Sequence, residues 1–403
     1  MLLGGFAMRL ALLILMGQRY YFADTLEYDQ IGRAILAGHG LPAGTPRAPL
    51  YPALMALGYA IGGVGNYEAV RIIQLVLGLA IIVLAGWLGA RMGASRAGLV
   101  AAALIAFSPT MIFTSTMLYP TVLFTMLLLI ATALARDLDQ SPSPPRAAAL
   151  GAAMGLLWLT DRIAVIPIAV LLGWLGYGLK RRERRAALAV SMLIALLVAA
   201  PARWVRNPKP PPGASLEVTM PFLAKAEFVL WVARHDTVSV GEHRVVDPDT
   251  SFQALSLRDF LAREGRYLRE QPAAYAHDYG FEFVHFFQPM PDRLKTVNAF
   301  TRMGARWVVA IFFLPVLVFA AFGLLAGSVS RRDRALLALL PLATAAIYAL
   351  FFTQTRYRVP VEPQLTLLAG LGVMRVFEWF APRAMLAPVP APHPAGSSER
   401  RPA

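Results

Sequence analysis

Residues 23–40 read ADTLEYDQIGRAILAGHG, and RAPLYP follows at 47–52. This charged stretch lies between long apolar blocks, and its spacing is helical. Asp24, Glu27 and Tyr28 stand at i, i+3 and i+4, so a helix sets them on one face and turns Asp29 elsewhere. Leu26, Ile31, Ala34 and Ile35 supply the apolar side of an amphipathic helix lying along a membrane surface. Gly38, Gly40, Pro42 and Gly44 then break it, and the run ends at Arg47, Pro49, Tyr51 and Pro52.

The blocks on either side decide the fold class. Of 403 residues, 57% are hydrophobic and 15% charged, with a mean hydropathy of +0.55. That composition exceeds what soluble cores absorb and reads as membrane spans. Apolar stretches fall at 2–21, 69–91, 97–117, 119–135, 147–160, 163–179, 186–201, 306–327, 335–353 and 360–380, giving about ten candidate spans. The pairs meeting near Tyr119 and Asp161 are each either two spans or one bent element. The expected protein is an all-α polytopic bundle. An N-terminal module covers 1–201, with its first outer loop at about 22–67. A large outer loop covers 202–305, C-terminal helices cover 306–380, and a Pro-rich disordered tail covers 381–403.

The net charge of +14 raises nucleic acid as a partner until the basic residues are placed. One set of alternate loops, with the tail, holds fifteen Lys and Arg, including the run Lys180–Arg185; the other set of short loops and span ends holds six. The positive-inside rule puts the first set and both termini in the cytoplasm, and the segment around Asp24 outside. The charge therefore marks topology, and nucleic acid is not expected. With no cysteine, a thiolate nucleophile, a disulfide framework and a Cys-ligated metal site are excluded.

Ionisable groups beside membrane helices are costly unless they face water or a partner. Three clusters fall on the predicted outer side: the first loop with Asp24, Glu27, Tyr28 and Arg47; the turn with Asp161 and Arg162; and Arg356, Tyr357 and Arg358 before the last span. Solvated loop charges, a local Asp–Arg pair and lipid-headgroup contacts are the plainer readings of the three. Together they bring what transfer from a lipid phosphate needs: a carboxylate to accept a proton and cations for the departing phosphate.

The stretches at 23–40 and 47–52, with RIIQL at 71–75, PARWVRN at 201–207 and RYRVPVEP at 356–363, resemble the GT-C glycosyltransferases, specifically the protein O-mannosyltransferase and aminoarabinose transferase type of family 39. The resemblance implies a GT-C-like bundle, a polyprenyl-phosphate-sugar donor and transfer to an extracytoplasmic glycan, lipid or protein acceptor. It also implies an integral membrane protein of a bacterial inner membrane with its site facing outside. The first-loop acid of such enzymes matches Asp24, expected as general base. Arg47, Arg356 and Arg358 are the candidates for the donor phosphate, and Tyr28, Tyr51 and Tyr357 for lining the substrate path. Relatives often carry adjacent first-loop acids and an acid near the start of the fourth span. Here Thr25 follows Asp24, leaving Glu27 or Asp161 as the second carboxylate, and Tyr119, Pro120 and Thr121 open the fourth span.

Some relatives use a divalent metal beside the first-loop acid, and the sequence leaves that open. His235 and His243, like His277 and His285, are eight apart, which is not a recognised ligand spacing. The amphipathic segment Phe252–Tyr279 and its neighbouring aromatics suit anchoring at a membrane interface. A lipid-linked sugar flippase and a catalytically inactive envelope scaffold are the competing classes.

Overall fold

The computed structural model describes residues 1–19, 24–42, 47–177, 182–200, 257–291, 303–350 and 353–380. Among these the chain is helical, with no strand. The helices, in order, are α1 (Leu2–Met16), α2 (Asp24–Leu36), α3 (Leu50–Gly62), α4 (Tyr67–Arg91), α5 (Ser95–Phe107), α6 (Pro109–Thr116), α7 (Thr121–Gln140), α8 (Pro144–Thr160), α9 (Val165–Gly176), α10 (Arg182–Ala199), α11 (Leu257–Glu270), α12 (Pro272–Phe286), α13 (Met303–Ala326), α14 (Arg331–Tyr348) and α15 (Glu362–Phe380). Short 3-10 turns precede α9 and α15.

Each of the ten apolar stretches holds helix, and the expected all-α polytopic architecture stands. Among the described residues, three helices are singly long and apolar enough to cross a membrane: Tyr67–Arg91, Thr121–Gln140 and Arg306–Ala326. The stretch 97–117 differs from a simple span. It is bent by 56° between α5 and α6, where Pro109 supplies no backbone N–H and the Ser108 hydroxyl accepts from Met111 N at 3.3 Å. Bending leaves carbonyls of α5 without their helical donors. Arg9 of α1, 1% exposed, donates to Ala106 O at 2.9 Å and Ile105 O at 3.2 Å, and its Nε reaches Ser115 Oγ at 3.3 Å. The charge that interrupts the first apolar stretch is therefore spent on the break in its neighbour.

The segment 22–67, expected as the first outer loop, contains more helix than expected. Leu50–Gly62 is an apolar helix of 13 residues, shorter than the roughly 20 a span needs, so hydropathy alone passes over it. It packs on α2. The segment expected to be one amphipathic stretch at 252–279 is, where described, two helices, with Gln271 leaving the helix and Pro272 opening the next.

At the centre, α15 packs on α13 and on α5. A Cβ built on Gly323 would stand 1.9 Å from the Leu368 carbonyl oxygen, so this crossing requires a residue without a side chain. The end predicted to face the cytoplasm is closed by ion pairs: Arg136 to Asp333 at 2.9 Å, Arg332 to Asp139 at 2.7 Å and Arg91 to Asp137 at 2.7 Å, joining α4, α7 and α14. His235, His243, the Phe252 end of the amphipathic segment and the tail 381–403 lie outside the described residues.

Candidate active site

The opposite end gathers the first-loop acids with residues from four other parts of the chain. Asp24 and Glu27 occupy the first turn of α2, where the positive end of the helix dipole favours carboxylates. Asp29 turns away, as the spacing predicts. It accepts from Arg33 Nε at 2.9 Å and from the Tyr59 hydroxyl at 2.5 Å, clamping α2 to α3.

Arg47 joins the two outward acids. Its Nη2 lies 3.1 Å from Asp24 Oδ1, its Nε donates to Glu27 Oε2 at 2.7 Å, and its Cζ sits 5.0 Å from the Tyr28 ring centroid. Burial alone would lower this guanidinium's pKa, but the facing Tyr28, the hydrogen bond it donates to Glu27 and the Asp24 charge outweigh it and hold the value above the ordinary one. The Asp24 side chain remains 36% exposed, open enough to meet a substrate.

On its other oxygen Asp24 accepts a hydrogen bond from the Tyr119 hydroxyl at 3.1 Å. Sequence reasoning noted Tyr119 only as standing where relatives often have an acid. The turn that carries it is tied down from two helices. Thr25 Oγ1 donates to Leu118 O at 3.1 Å, Gln74 Nε2 to Met117 O at 2.5 Å and Arg71 Nε to Thr116 O at 2.8 Å. Arg71 also donates to the Gly17 and Arg19 carbonyls. Arg71 and Gln74 belong to the RIIQL motif, so that motif positions the turn bearing Tyr119.

Three tyrosines pack edge to face at this point, Tyr28 lying 5.1 Å from Tyr51 and 5.8 Å from Tyr119 between centroids. Burial, first, and the Tyr119, Asp161 and Asp24 neighbours raise Tyr28 well above the ordinary phenol value. Burial likewise raises Tyr119; Arg356 opposes this, while Asp24 and Asp161 add to it. Both phenols therefore stay protonated donors through the physiological range.

Arg356 caps the group from the 3-10 turn before α15. Its Cζ lies 6.0 Å from the Tyr119 centroid and 5.3 Å from that of Tyr357. Burial would lower its pKa, and Tyr357, Tyr119 and Asp24 more than compensate. Tyr357 stacks on Tyr348 with centroids 4.5 Å apart and planes within 10°. Asp161 caps the turn before α9, accepting from Ile163 N at 3.2 Å, and lies near enough to act on Tyr28 and Tyr119.

Two sequence candidates take other roles. Arg358, 1% exposed, bonds Glu362 at 3.1 Å and the Gln288 carbonyl at 2.7 Å, with its Cζ 3.5 Å above the Phe313 ring. It is a buried strut between α12, α13 and α15, its guanidinium engaged there. Tyr51 is fully buried and donates to Gln74 Oε1 at 3.1 Å, so it supports Tyr28 from beneath and does not line an accessible path.

The donor set does not fit a metal. Among the described residues no group of three or more His, Asp or Glu converges, and the Arg47 guanidinium lies between the two acids that would start one.

The profile of the family described as dolichyl-phosphate-mannose-protein mannosyltransferase matches residues 46–204, less than half of the chain; Arg47, Tyr119 and Asp161 fall inside the match, and Asp24 and Arg356 outside it. No curated protein sequence matches the chain. In fold, the chain is similar to ArnT from Cupriavidus metallidurans bound to undecaprenyl phosphate (17% identity, 92% of this chain, 60% of that one, TM-score 0.57). It is similar too to the apo oligosaccharyltransferase of Archaeoglobus fulgidus (15% identity, 96% and 51% covered, TM-score 0.57). A third likeness is to AglB from Archaeoglobus fulgidus in complex with an inhibitory peptide and a dolichol-phosphate (15% identity, 98% and 52% covered, TM-score 0.56). The chain thus spans about half to three fifths of the length of these proteins, and at such identities the likeness is one of fold. The expected GT-C-like bundle is borne out.

Proposed function

We propose that the protein is an integral-membrane glycosyltransferase that moves a sugar from a polyprenyl-phosphate carrier to an acceptor outside the cytoplasm. The observation that carries this reading is the convergence of Asp24, Arg47, Tyr119 and Arg356, from elements far apart in sequence, at one end of a helical bundle. In the proposed step Asp24 takes the proton of the acceptor's nucleophilic group. That group forms the new bond to the anomeric carbon, and the bond from this carbon to the phosphate oxygen breaks with inversion. The polyprenyl phosphate leaves with the electron pair of that bond, its charge met by Arg47 and Arg356. Tyr28 and Tyr357 are assigned to the walls of the site, and Asp161 to the second carboxylate.

The fold shared with a protein solved with undecaprenyl phosphate and another solved with a dolichol-phosphate supports the choice of donor class. The flippase alternative calls for charges lining a mid-membrane path. Arg9, Arg71 and Arg358, each 1% exposed or less and the most buried arginines among the described residues, are instead engaged by backbone carbonyls and, for Arg358, also by Glu362. The test is incubation of proteoliposomes with a panel of undecaprenyl-phosphate hexoses and pentoses, with envelope material from a deletion strain as acceptor. A glycosidic product supports the reading; translocation of the lipid-linked sugar without product supports the flippase.

A further inference from the structure

Tyr119 is absent from the residues that sequence and family likeness nominate, yet it touches more of the cluster than any of them predicts. Its hydroxyl reaches Asp24 at 3.1 Å, its ring meets the Tyr28 edge, and Arg356 lies over its face at 6.0 Å. Its backbone turn is held by Thr25, Arg71 and Gln74. A hydroxyl so fixed can do one thing for a carboxylate: hold one oxygen by a hydrogen bond so that the other keeps a fixed direction. From the opposite side Arg47 engages that other oxygen.

We propose that Tyr119 is a positioning residue for Asp24, orienting the carboxylate for proton abstraction and linking it to Arg356 of the last 3-10 turn. The inference rests on the reading of Asp24 as general base. Asp24 is met by Arg47, which also holds Glu27, and by Tyr119 from the turn before α7; Arg356 of the last 3-10 turn lies near enough to act on it, and Asp161 of the turn before α9 acts on Tyr28 and Tyr119. Of these, Tyr119 is a neutral donor with a rigid ring, suited to fixing direction without cancelling charge. Tyr28 shares the buried cluster and contacts both Arg47 and Tyr119 through its ring.

The test is a double-mutant cycle on the full chain in proteoliposomes, using whichever undecaprenyl-phosphate sugar of the panel the wild type transfers. Tyr119→Phe keeps the ring beneath Arg356 and loses the donor. It is expected to lower kcat about ten- to a hundred-fold, the usual worth of a hydrogen bond to a charged group, with the donor KM within twofold. In an Asp24→Asn background the same change is expected to cost less than twofold, because the base it orients is gone. Tyr59→Phe removes a comparable tyrosine–carboxylate bond away from the site, and is expected to lower thermal stability while leaving kcat of the inserted protein within twofold. Should Tyr119→Phe insert poorly, 3-fluorotyrosine at position 119, which retains the donor, is expected to keep wild-type kcat. If Asp24→Asn is inactive but Tyr119→Phe has wild-type kcat, or if 3-fluorotyrosine loses activity in a fully inserted protein, the inference is overturned and the functional reading stands. Full transfer by Asp24→Asn overturns the functional reading itself.

Discussion

Arg47 places Nη2 3.1 Å from Asp24 Oδ1 while its Nε donates to Glu27, so one guanidinium bridges both acids at the start of α2. In this arrangement the chain's own guanidinium occupies the place between the two carboxylates that a bridging divalent ion would need.

Transfer should accordingly survive chelation, with rates in EDTA within about twofold of untreated protein. Arg47→Gln should lower kcat on the order of ten- to a hundred-fold, since two charged hydrogen-bonded contacts are lost. Added magnesium or manganese should not restore it. An EDTA-sensitive wild type that manganese rescues would contradict this account.

Arg356 and Arg358 should separate cleanly. Arg356→Gln removes a cation beside Tyr119 and should raise the donor KM about tenfold or more, with little effect on thermal stability. Arg358→Met strands the buried carboxylate of Glu362 and should cost about 3–5 kcal/mol of stability, while the surviving folded protein keeps kcat within threefold. The check is thermal inactivation alongside donor kinetics for both variants.

Arg9→Met should destabilise without altering the site. The carbonyls of Ile105 and Ala106 at the α5–α6 bend would lose their donor, at about 1–3 kcal/mol for each buried group left unmet. A lower midpoint of thermal inactivation with unchanged donor KM is expected. A wild-type midpoint would show that the bend does not depend on the guanidinium.

Because the chain has no cysteine, single substitutions report sidedness directly. His39→Cys, on the exposed stretch after α2, should react with a membrane-impermeant maleimide added outside, and Ser141→Cys, between α7 and α8, only after the cytoplasmic face is opened. The reverse pattern would invert the proposed orientation.

The spans and α2 were readable because their signals are local: apolar length, and helical spacing that puts Asp24, Glu27 and Tyr28 together and sends Asp29 elsewhere. Tyr119 was not readable as a partner. Its contact with Asp24 spans 95 positions and depends on a turn held by Thr25, Arg71 and Gln74, whose roles appear only once α2, α4 and the turn are in contact. Arg356 and Arg358 part company for a geometric reason. In a 3-10 helix of about three residues per turn, residues two apart point roughly 120° away from each other, so Arg356 faces Tyr119 while Arg358 enters the core. The helix α3 was missed because its 13 residues fall below the length at which hydropathy speaks.

The central claim is that Asp24 is the base for sugar transfer, and the most direct measurement is the initial rate of Asp24→Asn in proteoliposomes at saturating undecaprenyl-phosphate sugar, normalised to inserted protein. Replacing the carboxylate with a neutral isostere should reduce the rate by about a hundredfold or more while the donor KM changes little. A properly inserted Asp24→Asn protein that transfers sugar at the wild-type rate would contradict the account.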